Sequence, residues 1–329
     1  MRRAVRLTEA RYAAYWALSG IARPFTVLEF LRERREADRL WETAHPARLT
    51  DLGTATHLSI LPLVEHYSAD DRLATEPDVS YLVTVDGTKI LFDVGWNMRN
   101  EHPSPLLRNM EALGVSVADL DAVFISHLHL DHVGGRACQS GKTFALSARP
   151  VDLGGIPAYV PASMTHPSAR VEVVGAPRKL AEGVAGGGPL MRAIWLTGAV
   201  LEHTLLVNVA GKGLVMIVGC GHPSLERMIE RARAVTGVPL YGVVGGLHFP
   251  VTGSRVGKGR QNIIGNGKLP WQRITRGEAR EAAALLAGLG LGSVALSAHD
   301  SCDWTLDVFR EALGDRYRTV KAGEEIVIA

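Results

Sequence analysis

Cysteine is scarce: Cys138, Cys220 and Cys302 are the only three in 329 residues, and no two form a Cys-x-x-Cys pair. Any pairing leaves one over. A disulfide-stapled secreted scaffold is therefore excluded, and a reducing, cytoplasmic setting is expected. A surplus charge of one sign is missing too. The 36 basic and 34 acidic residues leave a formal net charge of +2, which singles out no partner class, and nucleic acid is not expected as a partner. No stretch is apolar for the 18 or so residues that a membrane helix needs. Met1-Arg2-Arg3 has the look of a signal-peptide start, but Glu9 and Arg11 interrupt the apolar run that should follow. The composition, 47% hydrophobic and 21% charged, is that of an ordinary soluble enzyme. Its length allows one large domain or a domain with an extension.

Histidine is also uncommon, 12 residues in all, which makes one stretch conspicuous. Val123-Phe-Ile-Ser-His127-Leu-His129-Leu-Asp131-His132-Val-Gly-Gly135 runs from a short apolar strand into three histidines and a carboxylate within six positions. If the chain leaving the strand is still extended, His127 and His129 point to the same side and can grip one metal ion. Asp131 and His132 are adjacent and diverge as the chain turns at Gly134-Gly135, which suits a second ion beside the first. Imidazole and carboxylate suit zinc, iron or manganese.

His-x-His-x-Asp-His after a strand, followed by Gly-Gly, resembles the signature of the metallo-β-lactamase superfamily, whose members are mostly two-metal hydrolases on an αββα sandwich. The resemblance implies that layered α/β fold over residues 51–329, with residues 1–50 as a helical N-terminal extension outside the signature. Tyr12, Tyr15, Trp16 and Leu18, then Phe25, Leu28, Phe30 and Leu31, recur at helical intervals around Pro24. These helices are expected to pack on the catalytic domain or on a second copy, giving a homodimer. Residues 57–64 read as a strand, and 79–85 with 89–93 as a hairpin turning at Asp86-Gly87. The hairpin resembles the superfamily's opening one, which ends in Asp-x-Gly, here Asp93-Val94-Gly95; there the aspartate supports the metal site from behind its ligands. Trp96 and Asn97 follow and are expected at the mouth of the site. Residues 106–113 read as a helix. Short strands are expected near 158–160 and 170–174, and a flexible turn at Gly183–Gly188. His166 reads as a surface histidine.

Further ligands should come from strand ends later in the chain, and four histidines qualify. His203 resembles the third motif, where His-Thr occurs. The strand 213–218 ends in Gly219-Cys220-Gly221-His222-Pro223, residues 241–244 lead to Gly245-Gly246-Leu247-His248, and 293–297 lead to Ala298-His299-Asp300. Gly-Cys-x-His-Pro with Gly-Gly-x-His resembles the branch typified by dihydropterin-ribofuranosyl-aminobenzene-phosphate synthases. Where most of the superfamily has Gly-Asp, with the aspartate bridging the metals, this chain has Gly219-Cys220. Cys220 reads as a packed thiol, with a bridging thiolate as the other reading, and His222 as the ligand. Branch relatives follow the last histidine with Cys-Thr-Gly, whereas Asp300-Ser301-Cys302-Asp303 stands here, so Asp300 is a further candidate ligand or proton carrier. A helix from Thr275, capped by the acid Glu278 three residues on, precedes the strand that delivers His299.

The assignment that results places His127, His129 and His222 on one divalent ion, and Asp131, His132 and His299 on a second. Zinc is the expected metal, with manganese and iron as substitutes. Asp131 and His248 are the candidate catalytic residues, His248 either completing a ligand set or protonating a leaving group. Between His248 and Thr275, Arg255, Lys258, Arg260 and Lys268 sit in a glycine-rich loop without the Gly-Lys-Ser/Thr ending of a nucleotide P-loop, and would suit an anionic group. The expected reaction is hydrolysis of a small anionic ester (phosphoester, lactone or thioester) by a water that two ions acidify. The other readings are a synthase-like reaction on a phosphorylated substrate and a non-catalytic metal-binding scaffold.

Overall fold

The computed structural model describes residues 24–256, 261–262 and 264–328. The first expected helix, around Tyr12 to Leu18, lies outside them. The second is helix α1, Pro24–Thr43, with proline at its first position, where a missing N–H costs nothing. Strands β1 (Leu58–Val64), β2 (Ser80–Val85) and β3 (Thr88–Phe92) come next, then helix α2 (Pro105–Ala112), β4 (Ala122–Phe124), α3 (Arg136–Gly141), β5 (Pro157–Val160) and β6 (Arg170–Val173). The second half runs β7 (Arg178–Ala181), β8 (Val184–Gly186), β9 (Leu190–Ile194), β10 (Gly198–Glu202), β11 (Leu205–Val209), β12 (Gly213–Val218), α4 (Leu225–Thr236) and β13 (Leu240–Gly245). It closes with α5 (Arg276–Gly288), β14 (Ser293–Leu296), α6 (Asp303–Leu313), β15 (Tyr317–Thr319) and β16 (Ile326–Ile328).

Two seven-stranded sheets form, in the orders β16-β1-β2-β3-β4-β5-β6 and β15-β14-β13-β12-β11-β8-β7, while β9 and β10 pair as a separate hairpin. The period-two alternation of each strand assigns its two faces to different layers. In β12, Leu214, Met216 and Val218 pack with Met228 and Ile229 of α4 and Leu286 of α5, while Val215 and Ile217 turn to the other sheet. In β4, Phe124 joins Ile217 and Val244 between the sheets, and Val123 packs with Leu106 and Met110 of α2. The layers are therefore helix, sheet, sheet, helix, the mixed α/β sandwich that the sequence resemblance implies. Neighbours β3 to β6 run parallel, as do β12 to β15. Ligand sites in such sheets form at the carboxyl ends of the strands.

One expectation is corrected. Residues 183–188 are not a flexible turn, because Val184–Gly186 is the buried strand β8, paired to β11. The glycines mark close packing. A Cβ on Gly183 (φ +69°) would stand 2.5 Å from the Ala55 nitrogen, and one on Gly187 2.7 Å from Thr204 Oγ1. Helix α1 lies on the β9–β10 hairpin of its own chain, where Phe30 meets the Trp195 ring edge-on at 5.8 Å between centroids. Among the described residues, no helix is long and apolar enough to cross a membrane.

Candidate metal centre

Four strand ends converge on one point. The loop after β4 carries His127, His129, Asp131 and His132; those after β12, β13 and β14 carry Cys220 with His222, His248, and His299 with Asp300. Gly134 makes the first loop turn in place: its φ is +89°, and a Cβ there would come within 2.2 Å of the Ala145 carbonyl oxygen. His127 Nε2 and His222 Nε2 each lie 3.0 Å from His129 Nδ1. Four imidazoles on a tetrahedral zinc, with Zn–N bonds of about 2.0–2.1 Å, would put neighbouring nitrogens about 3.3 Å apart. Beside them, Cys220 Sγ is 3.1 Å from His132 Nε2 and 3.2 Å from His299 Nε2. Three sets of donor atoms lie within 4.8 Å of one another: Asp131, His132, Cys220 and His299; His127, Cys220 and His222; and Cys220, His248 and Asp300. Cys220 belongs to all three. The side chain is buried, as a packed thiol would be, and its Sγ faces the imidazoles.

The outward nitrogens explain why the inward ones hold lone pairs. His132 Nδ1 donates to Asp93 at 2.7 Å, and Asp93 also accepts the Ser126 N–H and hydroxyl. The Ser126 hydroxyl in turn meets His127 Nδ1 at 2.9 Å. Across the cleft, His299 Nδ1 donates to the Ser297 hydroxyl, which donates to Glu65 at 2.6 Å. His222 Nδ1 donates to the Gly265 carbonyl at 2.8 Å. Each contact fixes one tautomer and turns the other nitrogen inward. These donors fit a metal ion.

Burial, then the neighbouring imidazoles, hold His127 well below its ordinary pKa, and burial leads the depression of His222 and His299 as well. His129 is pulled to about 4, chiefly by burial. These rings are neutral at pH 7 and ready to ligate. His132 differs. Burial opposes its charge, but Asp93 and Asp131 outweigh that and raise it to about 9. Burial, reinforced by Asp131 and Asp300, pushes the Cys220 thiol far up.

His248 sits at φ +54° on a backbone whose N–H donates to Asp300 at 2.8 Å. Its Nε2–H points at the carbonyls of Gln261 and Ile264, which leaves a buried Nδ1 with no partner. In this tautomer the ring is a base or a ligand. His203 stays out of the cluster. Its Nε2 donates to the Ile125 carbonyl at 2.8 Å and its ring stacks on Phe124, so it braces the end of β4. His166 accepts the N–H groups of Ser168 and Ala169 in its own loop.

The expected substrate residues fare less well. The Asn97 amide is engaged with the Glu101 backbone in both directions, and Trp96 lies beside Gly135. Arg255 donates to the carbonyls of Ala298 and Ser301 and pairs with Asp303 at 2.6 Å. Lys268 pairs with Glu278. Asn97, Arg255 and Lys268 are thus each engaged with other residues of the chain, while Lys258 and Arg260 lie outside the described residues. A pocket of about 220 Å³ beside the centre is lined by His222, His248, Arg192 and Lys268 together with Glu226, Glu278 and Glu281.

Two acids that organise the site escaped the sequence reading. Glu202, at the end of β10, accepts the backbone N–H groups of Cys220, Gly221 and His222 at 3.0, 2.8 and 2.8 Å, and so shapes the loop that presents them. Glu65 stands behind His299. Burial raises both to about 7 against their hydrogen bonds. The available signal was an acid at the end of an otherwise apolar strand.

Comparison with known proteins agrees with this fold. A family model described as the metallo-beta-lactamase superfamily matches residues 75–136. The 7,8-dihydropterin-6-methyl-4-(beta-D-ribofuranosyl)-aminobenzene-5'-phosphate synthase of Methanocaldococcus jannaschii is 24% identical over 242 residues, covering 61% of this chain and 81% of the relative. Transcription termination factor FttA of Cenarchaeum symbiosum is 45% identical over 53 residues, 16% of this chain and 8% of the factor. Among solved structures, Tm1679, a metal-dependent hydrolase of the beta-lactamase superfamily, aligns with a TM-score of 0.56 at 19% identity, over 83% of this chain and 99% of its own. The metallo-beta-lactamase fold protein YhfI from Bacillus subtilis aligns with a TM-score of 0.50 at 14% identity, over 83% of this chain and all of its own. Motif, family model and architecture coincide: the chain has the metallo-beta-lactamase fold and carries the sequence signature of that superfamily.

Proposed function

We propose that the protein is a binuclear metal-dependent hydrolase acting on a small anionic ester in the cytoplasm. The supporting observation is the pair of adjoining donor sets that share Cys220. In this reading His127, His129 and His222 hold one ion, and Asp131, His132 and His299 the other. The Cys220 thiolate stands between them, where most of the superfamily has an aspartate. Nitrogen and sulfur donors favour zinc over harder ions. A bound pair supplies Lewis acidity and a water acidified towards neutral pH. The chain's own groups then have distinct tasks. Asp131, within the second donor set, accepts a proton; His248 Nδ1 takes and returns one; and the pocket containing Arg192 receives the substrate.

A synthase-like reaction on a phosphorylated substrate is the second reading, supported by the match to the Methanocaldococcus enzyme and by the shared Gly-Cys-x-His-Pro pattern. Elemental analysis of protein purified without chelator is expected to find about two metal equivalents, most of them zinc. The protein would then be assayed on phosphodiesters, lactones and thioesters, and separately with a phosphoribosyl donor. Turnover of an ester that disappears in His222→Ala and His299→Ala supports the hydrolase. Turnover confined to the donor assay overturns it in favour of the synthase.

A further inference from the structure

Away from the metal centre, a groove of about 370 Å³ opens between α1, the β9–β10 hairpin and α4. Leu40, Trp41, Pro177, Leu190, Met191 and Leu201 make its walls apolar. Two arginines of α4 reach it and flank the Trp41 indole, Arg227 at 5.4 Å and Arg231 at 6.0 Å from the ring. They are not equivalent. Arg227 has a counter-ion in Asp38 at 2.7 Å. Arg231 is only 8% exposed, and among the described residues it has no hydrogen bond and no ion pair. Burial pulls its pKa down with no carboxylate to oppose it. No nitrogen of Arg231 is among the sealed, unbonded polar atoms, so its donors keep access to the groove that the residue lines.

A guanidinium so deeply placed, with none of its five donors bonded to the described residues, is costly and becomes favourable when an anion completes it. The indole offers only a weak cation–π contact, and a second guanidinium shares it. We propose that this groove is a binding site for a small amphipathic anion, with a carboxylate or phosphate head on Arg231 and an apolar chain along Leu40, Trp41, Leu190 and Leu201. A planar fork of donors suits either head in bidentate form. The volume falls in the range of small-ligand pockets, about 300–1,000 Å³. The site is independent of the proposed hydrolysis, because none of the residues lining it belongs to the metal cluster.

The test is calorimetric titration of octanoate and of octyl phosphate into the full-length, metal-loaded chain, with acetate and 1-octanol as controls. Saturable binding of at least one amphipathic anion is expected, and the tighter of the two identifies the head group. Acetate, lacking the chain, and octanol, lacking the charge, should bind at least about tenfold more weakly. Arg231→Gln should weaken the anion by about tenfold or more while leaving octanol binding and metal content unchanged. Leu40→Trp, at the exposed rim, should obstruct the chain and weaken both anions, and decides the matter alone if Arg231→Gln fails to fold. Absence of anion binding to the wild type, or wild-type anion affinity in a folded Arg231→Gln or in Leu40→Trp, overturns the proposal.

Discussion

At the residue scale, the histidine cluster of the candidate centre was legible because it depends on local spacing, and so was Asp93 through its Asp-x-Gly motif, whereas Glu65, Ser297 and Glu202 were not, because they come from far along the chain. His127, His129 and His132 share one loop, whereas the Ser297–Glu65 contact spans 232 positions. No period or motif links residues so far apart. Glu202 is a stronger case, since it acts on backbone N–H groups that any residue would present. Glu202→Ala would leave three buried donors unpaired and free the 220–222 loop, and metal affinity is expected to fall about 10–100-fold. Competition with a chromophoric chelator measures this, and unchanged affinity would remove Glu202 from the site. Protonation supplies a second prediction. His132, raised to about 9, and the protonated Cys220 thiol must both lose protons when metal binds. Zinc added to the metal-free protein at pH 7 in weak buffer should therefore acidify it, and affinity should rise with pH through about 9, where His132 loses its proton, and continue to rise above it because the Cys220 thiol is still protonated there.

His203 carries the opposite sign. Burial lowers its folded pKa from 6.5 to about 3, so between those values the unfolded chain takes up a proton that the folded chain refuses. Stability therefore falls as pH drops from 6.5 towards 3, by about 1.4 kcal/mol per unit. His203→Gln keeps a donor for the Ile125 carbonyl but has no group that titrates there. Urea denaturation of the metal-free protein at pH 7 and pH 4.5 should show a smaller acid loss in the variant than in the wild type. Parallel losses would mean that His203 does not titrate on unfolding.

At the scale of elements, the strands were readable where a side-chain alternation or a capping pattern declared them, as at β2–β3 and at α5. In α5, Thr275 accepts the Glu278 N–H and Glu278 accepts the Thr275 N–H. The β7–β8 hairpin was misread because its glycines serve close packing, and sequence does not separate that from looseness. Glycine has the same packing role at the end of β13. Gly245 sits at φ +121°, and a Cβ there would lie 1.9 Å from the Val218 carbonyl oxygen, in backbone that cannot yield without parting β12 from β13. Gly245→Ala is expected to cost several kcal/mol by strain and steric overlap, on the order of the larger single-site effects. A comparison of urea midpoints at fixed metal load checks this. A loss under about 0.5 kcal/mol, the size of an ordinary surface substitution, would show that the strands part freely.

At the scale of the whole molecule, the candidate centre is also a tie between the two sheets. His127, His129, Asp131 and His132 follow β4 of the first sheet, while Cys220, His222 and His299 follow β12 and β14 of the second. Ions held by both groups would link the sheets there, in addition to the apolar packing and to the Ser297–Glu65 and His203–Ile125 hydrogen bonds. In the metal-free state several buried imidazoles face one another with their lone pairs inward, beside carboxylates, and nothing between them offsets the desolvation. A ligand that binds only the folded state adds RT ln(1 + [L]/Kd), about 4 kcal/mol at a thousandfold excess over Kd. Exhaustive chelation is therefore expected to lower the melting temperature by several degrees or more, and zinc to restore it. His299→Ala should reduce the rescue by zinc, since it weakens the second sheet's grip on one ion, whereas Phe30→Ala should lower the melting temperature without touching the rescue, because Phe30 packs on Trp195 of the β9–β10 hairpin and not on the metal cluster. An equal rescue in His299→Ala and wild type would mean that the ions stabilise each sheet separately and do not join them.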